Sequence, residues 1–165
     1  MSIVIQPRRP PALHVRVQRR PAAAPNGDGS ASRPVIAAVD GSAAGSAATA
    51  EAIASARALR APVVLVHVRR GPSTVWGRPF YGRRLARSLR KAREALGAAS
   101  AQARAAGIEA QTEILEGRPA QRIAEFARAR DARLVVLGPR RRRVGAGVLR
   151  RVGAAGLPVV RAASR

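Results

Sequence analysis

Asp40-Gly41-Ser42 follows directly on the apolar run Val35-Ile36-Ala37-Ala38-Val39, so a carboxylate and a hydroxyl stand at the end of a buried segment. Asp and Ser in that setting can accept hydrogen bonds from the free amides of a following helix, or from a ligand. Far along the chain, Gly138 closes a second apolar run and is followed by Pro139, four arginines at 140–143, and Gly145. Glycine lets a backbone come close to a bound group. Arginines offer forked, charge-assisted donors to phosphate. The chemistry of both stretches is that of holding an anionic or hydroxyl-rich ligand. Little points to bond-making. His14 and His67 are the only histidines, and neither has a carboxylate or nucleophile beside it in sequence. Ser42 lacks the Gly-x-Ser-x-Gly setting of an activated nucleophile, and no Walker A or Gly-x-Gly-x-x-Gly pattern occurs. With no cysteine, disulfides, zinc ribbons and thiol catalysis are excluded. Two isolated histidines make no clustered metal site.

The elements that must position these residues follow from hydrophobic period. Val35 to Val39, Pro62 to Val68 and Arg133 to Gly138 are continuous apolar runs of the kind found in strands buried on both faces. Ala110 to Leu115 alternates weakly, as a strand nearer a sheet edge would, and Leu157 to Val160 is a short last strand. Ala43 to Arg60 is an Ala-rich helix. In the next helix Leu85, Leu89, Ala92, Leu96, Ala99, Ala103 and Ala106 recur at spacings of four and three, which lines one helical face. Pro119 suits the first turn of a third helix, with Ile123, Phe126 and Ala127 as its buried stripe. A short helix around 147–155 precedes the last strand. The order β-α-β-α-β-α-β-α-β predicts an α/β fold, a five-stranded parallel sheet with helices on both faces, wound in a flavodoxin-like or Rossmann-like way. Such sheets bind ligands at the carboxyl ends of central strands. The first and fourth strands would flank that crevice, with Asp40 and Gly138 pointing into it.

The 165 residues suit one domain preceded by a tail. Residues 1–33 carry Pro-Arg clusters and small polar residues, which bury too little apolar area to offset ordering, so a disordered basic tail is expected. The domain is expected over 34–165. Apolar residues make up 47% of the chain but aromatics only 2%, so its core must be built from Ala, Val, Leu and Ile. Smaller side chains bury less area, and stability should be modest. No run is long enough to span a bilayer and no signal peptide is visible, which predicts a cytoplasmic protein without a membrane partner. The formal charge of +22 comes from 31 basic and 9 acidic residues, with Lys91 the only lysine. A charge of that size favours contact with polyanions, nucleic acid among them. The competing reading is a compositional bias toward Ala, Arg, Gly and Pro with solvated arginines.

In register, four pieces resemble the universal stress protein family. They are Val39-Asp40-Gly41-Ser42, Leu65-Val66-His67-Val68, Glu116-Gly117-Arg118-Pro119-Ala120 with Ile123, and residues 131–138 leading into Gly138. The likeness spans roughly residues 34 to 162. It implies a non-catalytic stress-response or regulatory protein with an adenine nucleotide, ATP, at the carboxyl edge of the sheet. By that resemblance Asp40 contacts base and ribose, while Ala38, Val68 and Leu137 line the adenine pocket. Nucleotide-binding members carry Gly-x-x-Gly and a later Gly-Ser or Gly-Thr. Here Gly138 fits the first glycine, Arg141 replaces the second, and Gly145-Ala146 stands for the last pair, only seven residues after Gly138. The loop is shortened and lacks the hydroxyl, so Arg140 and Arg141 would replace backbone cradling by side-chain clamping. The resemblance also implies a homodimer through the Leu157 to Val160 edge. Two alternatives remain: a degenerate dimeric scaffold that binds no nucleotide, and a basic protein that holds nucleic acid by its phosphates.

Overall fold

The computed structural model describes residues 33–70, 81–139 and 144–163. All of them lie in one compact unit, Ser32–Arg165. The expected tail, 1–33, falls almost entirely outside the described residues.

Nine elements alternate: β1 (Val35–Ala38), α1 (Ala43–Leu59), β2 (Val63–Arg69), α2 (Tyr81–Ala105), β3 (Ala110–Glu116), α3 (Pro119–Ala129), β4 (Leu134–Leu137), α4 (Val144–Ala154) and β5 (Val159–Arg161). The sheet order is β3-β2-β1-β4-β5 and every pairing is parallel. Of the two windings the sequence left open, this is the Rossmann-like one, which reverses direction between β1 and β4. Val35 lies opposite both Val63 and Leu134, so β1 is the middle strand and the crevice opens beyond its end.

Side chains alternate across the strands and make two apolar layers. Val35, Ala37, Val63, Leu65 and Val136 pack with Ala48, Ala52, Ala95, Leu96 and Ala99 from α1 and α2. Ile36, Val64, Val66, Val135 and Leu137 pack with Ile123, Ala124, Ala127, Val148 and Val152 from α3 and α4. In the α1–α2 layer most of the helical side chains are alanines, which lets those helices approach the sheet closely, whereas α3 and α4 also contribute Ile123, Val148 and Val152.

Two expectations need correction, and the choice of cap for α1 is settled. β5 is Val159–Arg161, shifted from Leu157 to Val160, because pairing with β4 continues to Leu137 opposite Arg161. Pro158 has no amide to give the ladder and contributes only its carbonyl, which accepts from the Val135 amide at 2.9 Å. Helix α4 begins at Val144, before the expected start near 147. Ser42 is the N-cap of α1, and Asp40 supports it from outside the helix.

Candidate functional site

The sheet's carboxyl edge is built around the end of β1. Ser42 caps α1 by accepting from the Gly45 amide at 3.3 Å. Asp40 Oδ1 in turn accepts from the Ser42 amide at 3.0 Å and from the Ser42 hydroxyl at 2.5 Å. Gly41, at φ +79°, makes the sharp turn between them. The carboxylate therefore stands beside the positive end of α1, where negative charge is favoured. Gly45 is what admits it, since a Cβ there would lie 2.8 Å from Asp40 Oδ1. Sequence reasoning singled out Asp40 but missed Gly45. The signal was present in Asp-Gly-Ser-x-x-Gly, a cap followed three residues on by glycine.

On the other side of the crevice, a Cβ on Gly138 would stand only 2.4 Å from the Ala44 carbonyl oxygen and 3.0 Å from Ala44 Cβ. The end of β4 thus runs directly against the first turn of α1. Sequence reasoning assigned this glycine to ligand approach; the close approach within the protein is to α1.

Ala38, Asp40, Val68, Leu137 and Gly138 all line one cleft of about 1100 Å³. Val66, Pro119, Ile123 and Val148 line it too, none of which the sequence had assigned to the site. Ala38, Val68 and Leu137 belong to the α3–α4 layer, so the apolar part of the cleft continues the core. Gly145 lies in the first turn of α4, where backbone amides have no acceptor within the helix. Arg140 and Arg141 lie outside the described residues. So do Trp76 and Phe80 of the loop after β2.

His67 Nδ1 lies 2.9 Å from the Val39 carbonyl. A carbonyl only accepts, so this nitrogen carries a proton and ties β2 to the segment after β1. Among the described residues no group of three or more His, Cys, Asp or Glu could hold a metal ion, and no helix is long and apolar enough to cross a membrane.

The model of the universal stress protein family matches residues 31–163. A universal stress protein family structure from Burkholderia pseudomallei is 26% identical, with a TM-score of 0.65, covering 81% of this chain and 98% of its own. A universal stress protein from Archaeoglobus fulgidus, solved in complex with dAMP, is 26% identical with a TM-score of 0.63, over 78% of this chain and 96% of that one. An Arabidopsis thaliana family protein with AMP bound shares the fold at 19% identity and a TM-score of 0.59, over 78% of this chain and 90% of that one. Comparison with curated proteins finds no match.

Proposed function

The chain belongs to the universal stress protein family, and on that premise we propose that it is a non-catalytic regulatory protein of the stress response whose cleft takes an adenine nucleotide, ATP. The observation that carries this reading is the fixed carboxylate of Asp40. Ser42 engages Oδ1, and among the described residues Oδ2 has no partner, leaving it to accept from a ribose hydroxyl. Beside it, Ala38, Val68 and Leu137 form an apolar wall against which a flat base can lie. The triphosphate is assigned to the amide-rich start of α4, with Arg140 and Arg141 as its clamps. The Archaeoglobus relative, whose structure is in complex with dAMP, supports the ligand class. No residue is assigned a catalytic role, and His67 is given a structural one through Val39.

Calorimetric titration of the full chain at about 150 mM salt, with tripolyphosphate as the charge control, tests this reading. ATP is expected to bind and tripolyphosphate not to, with Asp40→Ala weakening ATP at least about tenfold, the loss of one charge-assisted hydrogen bond or more. Equal binding of both ligands, lost only when 140–143 are changed to serine, would reduce the site to an anion patch on a scaffold.

One exposed side chain favours a homodimer through β5. Val160 is 38% exposed on this edge strand, an apolar residue whose cover a second copy would supply. Mass measurement across micromolar concentrations should give a dimer that Val160→Lys converts to monomer; a monomer throughout rejects it.

A further inference from the structure

Helix α2 is longer than the strands it covers. A Cβ on Gly41 would meet Ala95 Cβ at 3.2 Å, so α2 passes the end of β1 at Ala95. Gln102, near the last turn of α2, exchanges hydrogen bonds with Ser46 in the first turn of α1 (3.1 and 3.2 Å). Since α2 leads back to the amino end of β3, its first fourteen residues, 81–94, run from this level outward, with Ala92 still fully buried and Leu85 and Leu89 half-buried on their inner face. At 1.5 Å per residue they amount to about 21 Å of helix at and past the carboxyl edge of the sheet, an overhang exposed on its outer face.

Charge is concentrated on that overhang. Arg83, Arg84, Arg87, Arg90, Lys91 and Arg93 are all exposed, and α2 has just one further cation, Arg104. An even compositional bias would have spread them along the helix. The one acid, Glu94, lies 3.7 Å from Arg90, and none of the other five cations forms an ion pair among the described residues. Arg83 and Arg87, Arg84 and Arg87, and Arg87 and Lys91 are spaced three or four apart, so like charges stack on the face opposite the core. That repulsion disfavours the helix and gains the fold nothing. The positive end of the helix dipole lies at the same tip.

We propose that the overhanging half of α2 is a docking surface for duplex DNA, held through phosphates with little reading of sequence. A projecting helix about 10–12 Å across fits the major groove of B-form DNA, about 12 Å wide. The deep, narrow groove of A-form RNA does not admit one. Single strands are normally held on several aromatic platforms, and Tyr81 is the one aromatic residue in 81–94. This surface is independent of the nucleotide reading, for it uses none of the residues lining the cleft.

Fluorescence anisotropy of a short labelled duplex, titrated with the full chain at several salt concentrations, tests it. Changing Arg83, Arg84, Arg87, Arg90 and Lys91 to serine should weaken binding at least about tenfold. It should also lower the slope of log affinity against log salt by about 0.9 for each phosphate no longer neutralised. A control with Arg104, Arg118, Arg128, Arg150 and Arg151 changed to serine removes equal charge elsewhere and should weaken binding far less. Arg87→Glu alone, which adds favourable pairs to the helix, should weaken binding in the same direction without loss of helix by circular dichroism. Equal weakening in the two five-residue variants would overturn the proposal. So would tighter binding to single-stranded DNA, duplex RNA or anionic vesicles than to duplex DNA.

Discussion

At Gly138 a single methyl group decides whether β4 can end where it does. The distance from a built Cβ to the Ala44 carbonyl, 2.4 Å, is far inside van der Waals separation and involves backbone, which cannot swing away. Gly138→Ala is expected to push the first turn of α1 outward and cost about 1–3 kcal/mol in denaturant unfolding, with weaker ATP binding. Ser42→Ala removes the cap and one of the two donors that fix Asp40, leaving the backbone amide, and should cost about 0.5–2 kcal/mol. It should also weaken ATP less than Asp40→Ala does, because the carboxylate remains. Which residues gather at the crevice was legible: Asp40 and Gly138 end apolar runs, and parallel strands bring such ends together. Why Gly138 is glycine was not legible. The close approach that requires it joins residues 44 and 138, and no local pattern encodes a packing distance across that separation.

For the elements, the clearest signal was the spacing of α2. Ala92, Leu96, Ala99 and Ala103 are all buried as that spacing predicted, and Ala95 joins them where α2 meets Gly41. Ends were less legible than interiors. β5 is extended past Val160 by its pairing with β4, and pairing is invisible in a three-residue strand taken alone. Helix α3 carries a small pH response. Hydrogen bonds from Gln121 and then Arg122 hold the Glu125 carboxyl below its usual value. The folded chain therefore binds that proton less tightly than the unfolded one. The contribution is complete above the ordinary carboxylate range and fades as pH falls through the lowered value. Glu125→Gln should accordingly lower stability slightly at neutral pH and leave strong acid almost unchanged, which flattens the acid limb of a stability–pH curve, as urea midpoints will register.

Over the whole molecule, the sheet supplies most of the bulk that so few aromatics leave to be found. Leu65 is completely buried in the α1–α2 layer, facing alanines that cannot expand into a void. Leu65→Ala is expected to cost about 2–5 kcal/mol by denaturant titration, toward the upper part of that span. The central place of β1 also sets an order of events on the ribosome. Its β2 side can be paired once residue 69 has emerged, but its β4 side stays bare until residue 137 has followed. Through the synthesis of α2, β3 and α3, a nascent chain therefore holds an open apolar strand edge at its middle, the kind of edge that recruits other chains. Closure comes late, when β4 slots in beside the first strand made. A chain halted shortly before residue 134 should aggregate, and one released past residue 161 should not.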